Sequence, residues 1–88
     1  MLKPSFTKQF ERDLKRSLKR GHDNDKLKTL VQKLVHEEEL EAHYRDHKLQ
    51  GGFKGRRECH IEPDWLLIYK IESNRIIFER TGSHSDLF

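Results

Sequence analysis

The sequence predicts an α+β fold: an N-terminal strand and a two-helix hairpin packed on a small, antiparallel-rich sheet that ends in a three-strand meander. Three observations predict it. Apolar residues recur at helical spacing between Phe6 and Val35. After Arg56 the pattern changes to alternation and one continuous apolar run. Between the two lies a segment without period that ends in Gly51, Gly52 and Gly55.

The first strand is "LKPSF". Pro4 removes a backbone donor there, which confines the strand to a sheet edge. From Thr7 onward Phe6, Phe10, Leu14 and Leu18 recur every four residues among charges, one stripe of an amphipathic helix that Gly21 can stop. A second helix spans "DNDKLKTLVQKLVHEEE", with Leu27, Leu30, Val31, Leu34 and Val35 on one face and Asp23, Asn24 or Asp25 as its cap. The short "GHDND" link makes the two helices an antiparallel hairpin with both stripes turned to a common core. "LEAHYRDHKLQGGFKG" reads as a connection with at most a turn of helix.

Three strands follow: "RRECHIE", "WLLIYKI" and "RIIFERTG", joined by turns at Pro63-Asp64 and Ser73-Asn74. "WLLIYKI" is apolar on both faces, so it is the middle strand, with helices on one side and something else close on the other.

A chain of 88 residues makes one domain, residues 1–88, with a modest core. Hydrophobic residues make up 33% and charged residues 38%, polar enough to raise the question of disorder, but the net charge is only +3 and the apolar residues are ordered in patterns. The mild basic excess, 18 Lys+Arg against 15 Asp+Glu, suits phosphates or an acidic partner. Cys59 is alone, so no internal disulfide is possible, and a cytoplasmic location is expected. The N-terminus lacks the apolar core of a signal peptide, and no run approaches the roughly 20 apolar residues that cross a bilayer, so no membrane partner is expected.

Polar residues concentrate in "RRECHIEPDW". Alternation puts Arg56, Glu58, His60 and Glu62 on one face of their strand and Arg57, Cys59 and Ile61 on the other. If Cys59 and Ile61 cover the helices, Glu58 and His60 face away from them, with Asp64 at the turn beyond. His22, His36 and His43 read as structural or incidental, whereas His47, His60 and His84 could converge. Arg80 would reach them only if its face of the third meander strand turns to the polar side. A solvated sheet face with ordinary charges would give the same pattern. Acids, imidazoles and guanidinium groups gathered on a basic protein are also what RNA cleavage requires: a base for the 2′-hydroxyl, an acid for the departing 5′ oxygen and a cation for the phosphorus centre. Histidine, with an ordinary pKa of about 6.5, can carry either proton, and no metal is then needed.

"DHKLQGGFKGRRECHIEPDWLLIYKI" followed by "FERTGSHSDLF" resembles the YafQ branch of the RelE/ParE toxin superfamily, in detail over roughly the C-terminal half, and the helical hairpin lies where that RelE-like fold has one. The resemblance implies a bacterial type II toxin, a ribosome-dependent endoribonuclease that cuts translated messenger RNA, uses no metal or cofactor, and is silenced by an antitoxin of the DinJ/RelB type. Operator DNA would be bound only by the toxin–antitoxin complex. Carried over by position, the resemblance makes His47, His60, His84 and Asp64 the catalytic set and Phe88 the aromatic near the C-terminus. Glu58 stands where a close relative of this branch has the shorter Asp. Arg57 and Arg80 suit phosphate contacts, Lys54 and Arg56 general electrostatics, and Trp65 either stacks on a base or anchors a sheet edge. In the resulting assignment His84 and His60 share acid and base work, His47 and Asp64 orient or assist, and Arg80 stabilises the phosphorane.

Two other readings compete. His47, His60, Asp64 and His84 could instead ligate zinc or another divalent ion. A binding module for RNA or the ribosome, or a gyrase-directed relative on the same scaffold, would need no nuclease chemistry, though binding alone calls for Lys and Arg rather than three histidines.

Overall fold

The computed structural model describes Met1 to Phe88. Its elements are β1 (Lys3–Phe6), α1 (Lys8–Lys19), α2 (Asn24–Val35), β2 (His47–Lys48), β3 (Arg57–Glu62), β4 (Trp65–Glu72), β5 (Arg75–Gly82) and α3 (His84–Leu87). The strands form one mixed sheet in the order β1-β5-β4-β3-β2. β4 is the middle strand, as its two-sided apolar run requires. β1 lies parallel to β5 at an edge, where Pro4 costs no ladder bond.

Local chemistry sets the helix ends. Thr7 caps α1 by accepting the Phe10 N–H at 3.0 Å, and Gly21, at φ +93°, takes the left-handed conformation that ends it. Asp23 caps α2 through the Asp25 N–H. α2 stops at Val35, four residues short of the sequence expectation, and Glu37 turns left-handed. Three consecutive glutamates would oppose the negative end of the helix dipole, which accounts for the early stop.

Both helices meet the sheet in one core, where Phe10, Leu27, Leu30 and Leu34 pack with Cys59, Leu67, Tyr69 and Phe78; Leu14 is partly buried against it, whereas Phe6 and Leu18, the two ends of the first stripe, are exposed. Cys59 and Ile61 therefore do face the helices. The opposite face of β4 buries Leu66 and Ile68 under Leu87, with Leu49 and Phe53 alongside. The cover on that side is α3 and the loop after β2, and neither element was expected from sequence. "LEAHYRDHKLQGGFKG" is more than a connection: it holds two 3-10 turns, Ala42–Tyr44 and Gly51–Phe53, around the edge strand β2.

The alternation of β3 breaks at its end. Register slips between His60 and Glu62, so that Glu62 pairs with Trp65. This bulge turns Glu62 away from the His60 side and toward α2, where it accepts from Lys26 at 2.8 Å and meets His22 at 2.9 Å. β5 carries a second irregularity, with Ile68 opposite Arg80 but Tyr69 opposite Phe78. No helix is long and apolar enough to cross a membrane.

Candidate active site

Pairing of β2 with β3 sets His47 directly opposite Glu58, and His60 follows two residues along the same face. Glu58 is buried, 4% exposed, and one of its oxygens meets both rings: Oε1 lies 3.4 Å from His47 Nε2 and 3.5 Å from His60 Nε2. Its other oxygen, Oε2, is buried without a partner. The distal nitrogens of these two rings thus converge on one carboxylate, while each Nδ1 faces a carbonyl, Arg45 O at 2.6 Å for His47 and Pro63 O at 3.3 Å for His60. A carbonyl only accepts, so both rings carry a proton on Nδ1.

His84 completes the row. The ring centroids of His47 and His60 are 6.4 Å apart and those of His60 and His84 are 5.8 Å apart. Ser83 caps α3 in a reciprocal box with Asp86, which fixes His84 at the first turn. Asp64, in the β3–β4 turn, accepts from His84 Nδ1 at 2.7 Å and from the His84 backbone N–H at 2.9 Å. The backbone N–H, followed by the ring, holds the Asp64 carboxyl below the usual carboxylate range. Three imidazoles and two carboxylates from β2, β3, a turn and α3 therefore form one continuous polar row. The rings of His47 and His84 are half-exposed at its ends, and the nearly buried His60 lies between them.

The expected cations and aromatics divide. Lys54 lies exposed in the loop after β2, near Lys48, Arg56 and Arg57. Phe88 is 62% exposed, with its ring edge-on to Phe53. Arg57, by contrast, is on the Cys59 side of β3 and binds Asp46 at 3.0 Å, so a phosphate at the histidines lies on the other face. Asp46 is held by Tyr69 as well, at 2.6 Å. Arg80 is also spoken for: its guanidinium binds the buried Asp13 of α1 at 2.7 Å and does not reach into the histidine row. Trp65 is fully buried and stacks at 4.4 Å on His22, leaving no ring face for a base. His22 accordingly has a structural role, one of the two roles its position allows.

Asp13 and Ser17, buried on the helix face, escaped the sequence reading. A polar residue one position from an apolar stripe gives no signal unless its partner is known, and that partner, the Arg80–Thr81 segment, is more than sixty residues away. Among all His, Cys, Asp and Glu side chains, no group of three or more has the arrangement to hold a metal ion.

The model of the family described as "Bacterial toxin of type II toxin-antitoxin system, YafQ" matches residues 2–88. The chain belongs to that family. Within the YafQ family it is 46% identical over 84 residues to the mRNA interferase toxin YafQ of Escherichia coli strain K12, covering 94% of this chain and 91% of the relative. The DinJ–YafQ complex of E. coli contains a chain 44% identical to this one, at a TM-score of 0.92 with 100% and 99% of the two chains covered. A metal-bound toxin from Helicobacter pylori is equally similar, 44% identical at a TM-score of 0.93 with both chains fully covered. The RelE-like architecture expected from the resemblance is thus the architecture found.

Proposed function

We propose that this YafQ-family toxin is an mRNA interferase, an endoribonuclease that cuts translated messenger RNA on the ribosome by metal-independent general acid–base catalysis, and that a DinJ/RelB-type antitoxin silences it. The enzyme class is supported by the mRNA interferases that are 46% identical over 94% of the chain. The chemistry is supported by one observation above the rest, the row His47–His60–His84 with Glu58 and Asp64 between and beside the rings.

In that row His84 is the base. Asp64 accepts a hydrogen bond from its Nδ1–H, which keeps the proton on Nδ1 and leaves the Nε2 lone pair to receive a proton from the ribose 2′-hydroxyl. The 2′ oxygen attacks the adjacent phosphorus, the bond from phosphorus to the 5′ oxygen breaks, and His60 supplies the proton that the departing oxygen needs. The products are a 2′,3′-cyclic phosphate and a 5′-hydroxyl. His47 orients with Glu58, which anchors a proton at Nε2 of either facing ring. Arg80 acts through Asp13, fixing the end of β5 from which His84 projects, rather than on the phosphorane. A DinJ-type partner is supported by the relative found in a DinJ–YafQ complex; an acidic antitoxin segment would suit the basic excess of this chain, and operator DNA would be engaged by the pair.

The test is primer extension on a messenger RNA in a reconstituted translation system, with and without ribosomes and chelator, beside His84→Ala and beside added antitoxin. Ribosome-dependent, chelator-resistant cuts that vanish in the variant and with antitoxin support the reading. Cuts abolished by chelator would replace it with a metal-dependent one. No cuts from folded protein would favour a binding module or a gyrase-directed toxin.

A further inference from the structure

A cavity of about 650 Å³ opens beside the histidine row, and His60 is the wall the two share. Its other sides are Glu62 of β3, Lys26 of α2 and the 3-10 turn that carries His43, Tyr44 and Arg45. Two of these groups are already satisfied, because Lys26 and Glu62 neutralise each other at 2.8 Å. The turn is different. His43 lies against Tyr44 with ring centroids 4.1 Å apart, and it is exposed without a hydrogen bond of its own. Arg45 contributes only its main-chain groups to hydrogen bonds and its exposed guanidinium makes no ion pair; the residue lines this cavity and, on its other side, the acidic one beside Glu38, Glu39 and Asp46.

Arg45 is also held in the left-handed region, at φ 48° and ψ 43°, a conformation that non-glycine residues adopt only at a cost. That conformation accompanies a contact to the row itself: the Arg45 carbonyl accepts the His47 Nδ1 proton at 2.6 Å. One turn therefore orients a row histidine and sets an aromatic pair and an unpaired cation beside another.

Resting on the nuclease reading above, we propose that this cavity is a nucleotide subsite. It receives the nucleotide next to the scissile phosphate of single-stranded RNA, with the base against the His43–Tyr44 pair and the phosphate on Arg45. The volume lies in the range of small-ligand sites. Single-stranded RNA is bound by the combination found here, an aromatic ring for the base and a cation for the backbone. A nucleotide seated there adjoins His60, so the next phosphate along the strand reaches the row without a break in the path.

His43→Ala and Arg45→Asn are the variants. Both positions are exposed, and Asn tolerates the left-handed backbone. In the translation system, each variant should need about 10-fold more protein for half-maximal cutting, the equivalent of losing one stack or one phosphate contact. Its saturating rate should stay within about 2-fold of the parent, and its preference for the base flanking the cut should flatten. In the His84→Ala background, affinity for a labelled single-stranded oligoribonucleotide should fall by a similar factor, with the melting temperature unchanged. Unaltered cut maps and unaltered oligoribonucleotide affinity would overturn the subsite. So would variants that bind RNA normally and lose only antitoxin, which would make the cavity a protein interface. If the parent cuts nothing, the nuclease reading fails, and the oligoribonucleotide arm still decides the subsite.

Discussion

His84 donates twice to the same Asp64 oxygen, from its ring at 2.7 Å and from its backbone N–H at 2.9 Å. The pair fixes both the tautomer of the ring and its direction, so Asp64 acts through His84. Asp64→Ala should slow single-turnover cutting by about 100-fold, the scale of a positioned acid or base. The double variant with His84→Ala should be no slower than His84→Ala alone. Melting should barely move, because both side chains are more than half exposed. Additive losses in the double variant would separate the two residues.

Glu58 carries the opposite balance of stability and function. Its carboxylate is buried, its contacts at 3.4 and 3.5 Å are long, and Oε2 has no partner. Such contacts do not offset the cost of taking the group out of water. Glu58→Leu should therefore stabilise the fold by about 1 kcal/mol, raising the melting temperature by about 5 °C, while reducing cutting by 10-fold or more. A variant that is both less stable and fully active would refute a functional reason for the buried acid.

These two residues also show where sequence reading succeeds and stops. Period-2 alternation sets Glu58 beside His60 and sends Cys59 to the core, because side-chain direction in a strand is a local property. The same rule misplaces Glu62, since nothing in the sequence announces the bulge after His60 that turns it to α2. Similarly, helical spacing reveals the stripe from Phe10 to Val35, but Asp13 is buried for the sake of a distant arginine. β2 and α3 are too short, at two and four residues, to display any period. Convergence of His47 with His60 depends on β2 and convergence with His84 on α3, so chain position shows only that the three rings could converge, and their shared role comes from the family resemblance.

Trp65 distinguishes burial from base stacking. It is fully enclosed, stacked on His22, and its Nε1 has no hydrogen-bond partner. Trp65→Phe keeps an aromatic face and removes the unpaired donor, so it should cut RNA as the parent does. Trp65→Ala should cost about 3 to 5 kcal/mol, enough to unfold a domain of this size. A folded Trp65→Phe protein that had lost its affinity for RNA would show that the ring reaches the substrate.

Acid stability should depend on Asp13. Burial pushes its carboxyl up, but the hydrogen bonds from Arg80, Gln9 and the Thr81 N–H outweigh this and hold it below the usual carboxylate range. A depressed folded value means that its stabilisation is complete above the unfolded value of 3.8 and is lost as pH falls through and below it. Asp13→Asn should cost about 2 kcal/mol near neutrality, lowering the melting temperature by about 10 °C. Below about pH 4 its melting curve should converge on that of the parent. Parallel curves at every pH would place the acid sensitivity elsewhere, with Asp86 next in line because Arg20 and the Ser83 N–H depress it too.

Gly82 and Gly21 both have positive φ, yet only one should matter for cutting. A Cβ on Gly21, at φ +93°, meets nothing within 4 Å, so Gly21→Ala should lose about 1 kcal/mol through backbone strain and keep its activity. A Cβ on Gly82 would lie 2.9 Å from Asp86 Cβ and Oδ2. Asp86 could not move aside freely, being bound by Arg20 at 2.6 Å and by the Ser83 N–H at 2.9 Å. Relief must therefore come from shifting the start of α3, which carries His84 away from Asp64. Gly82→Ala should cut at least 10-fold more slowly than Gly21→Ala at equal melting temperature, a loss on the scale of a misplaced catalytic group. Equal rates would mean that α3 yields without moving the ring.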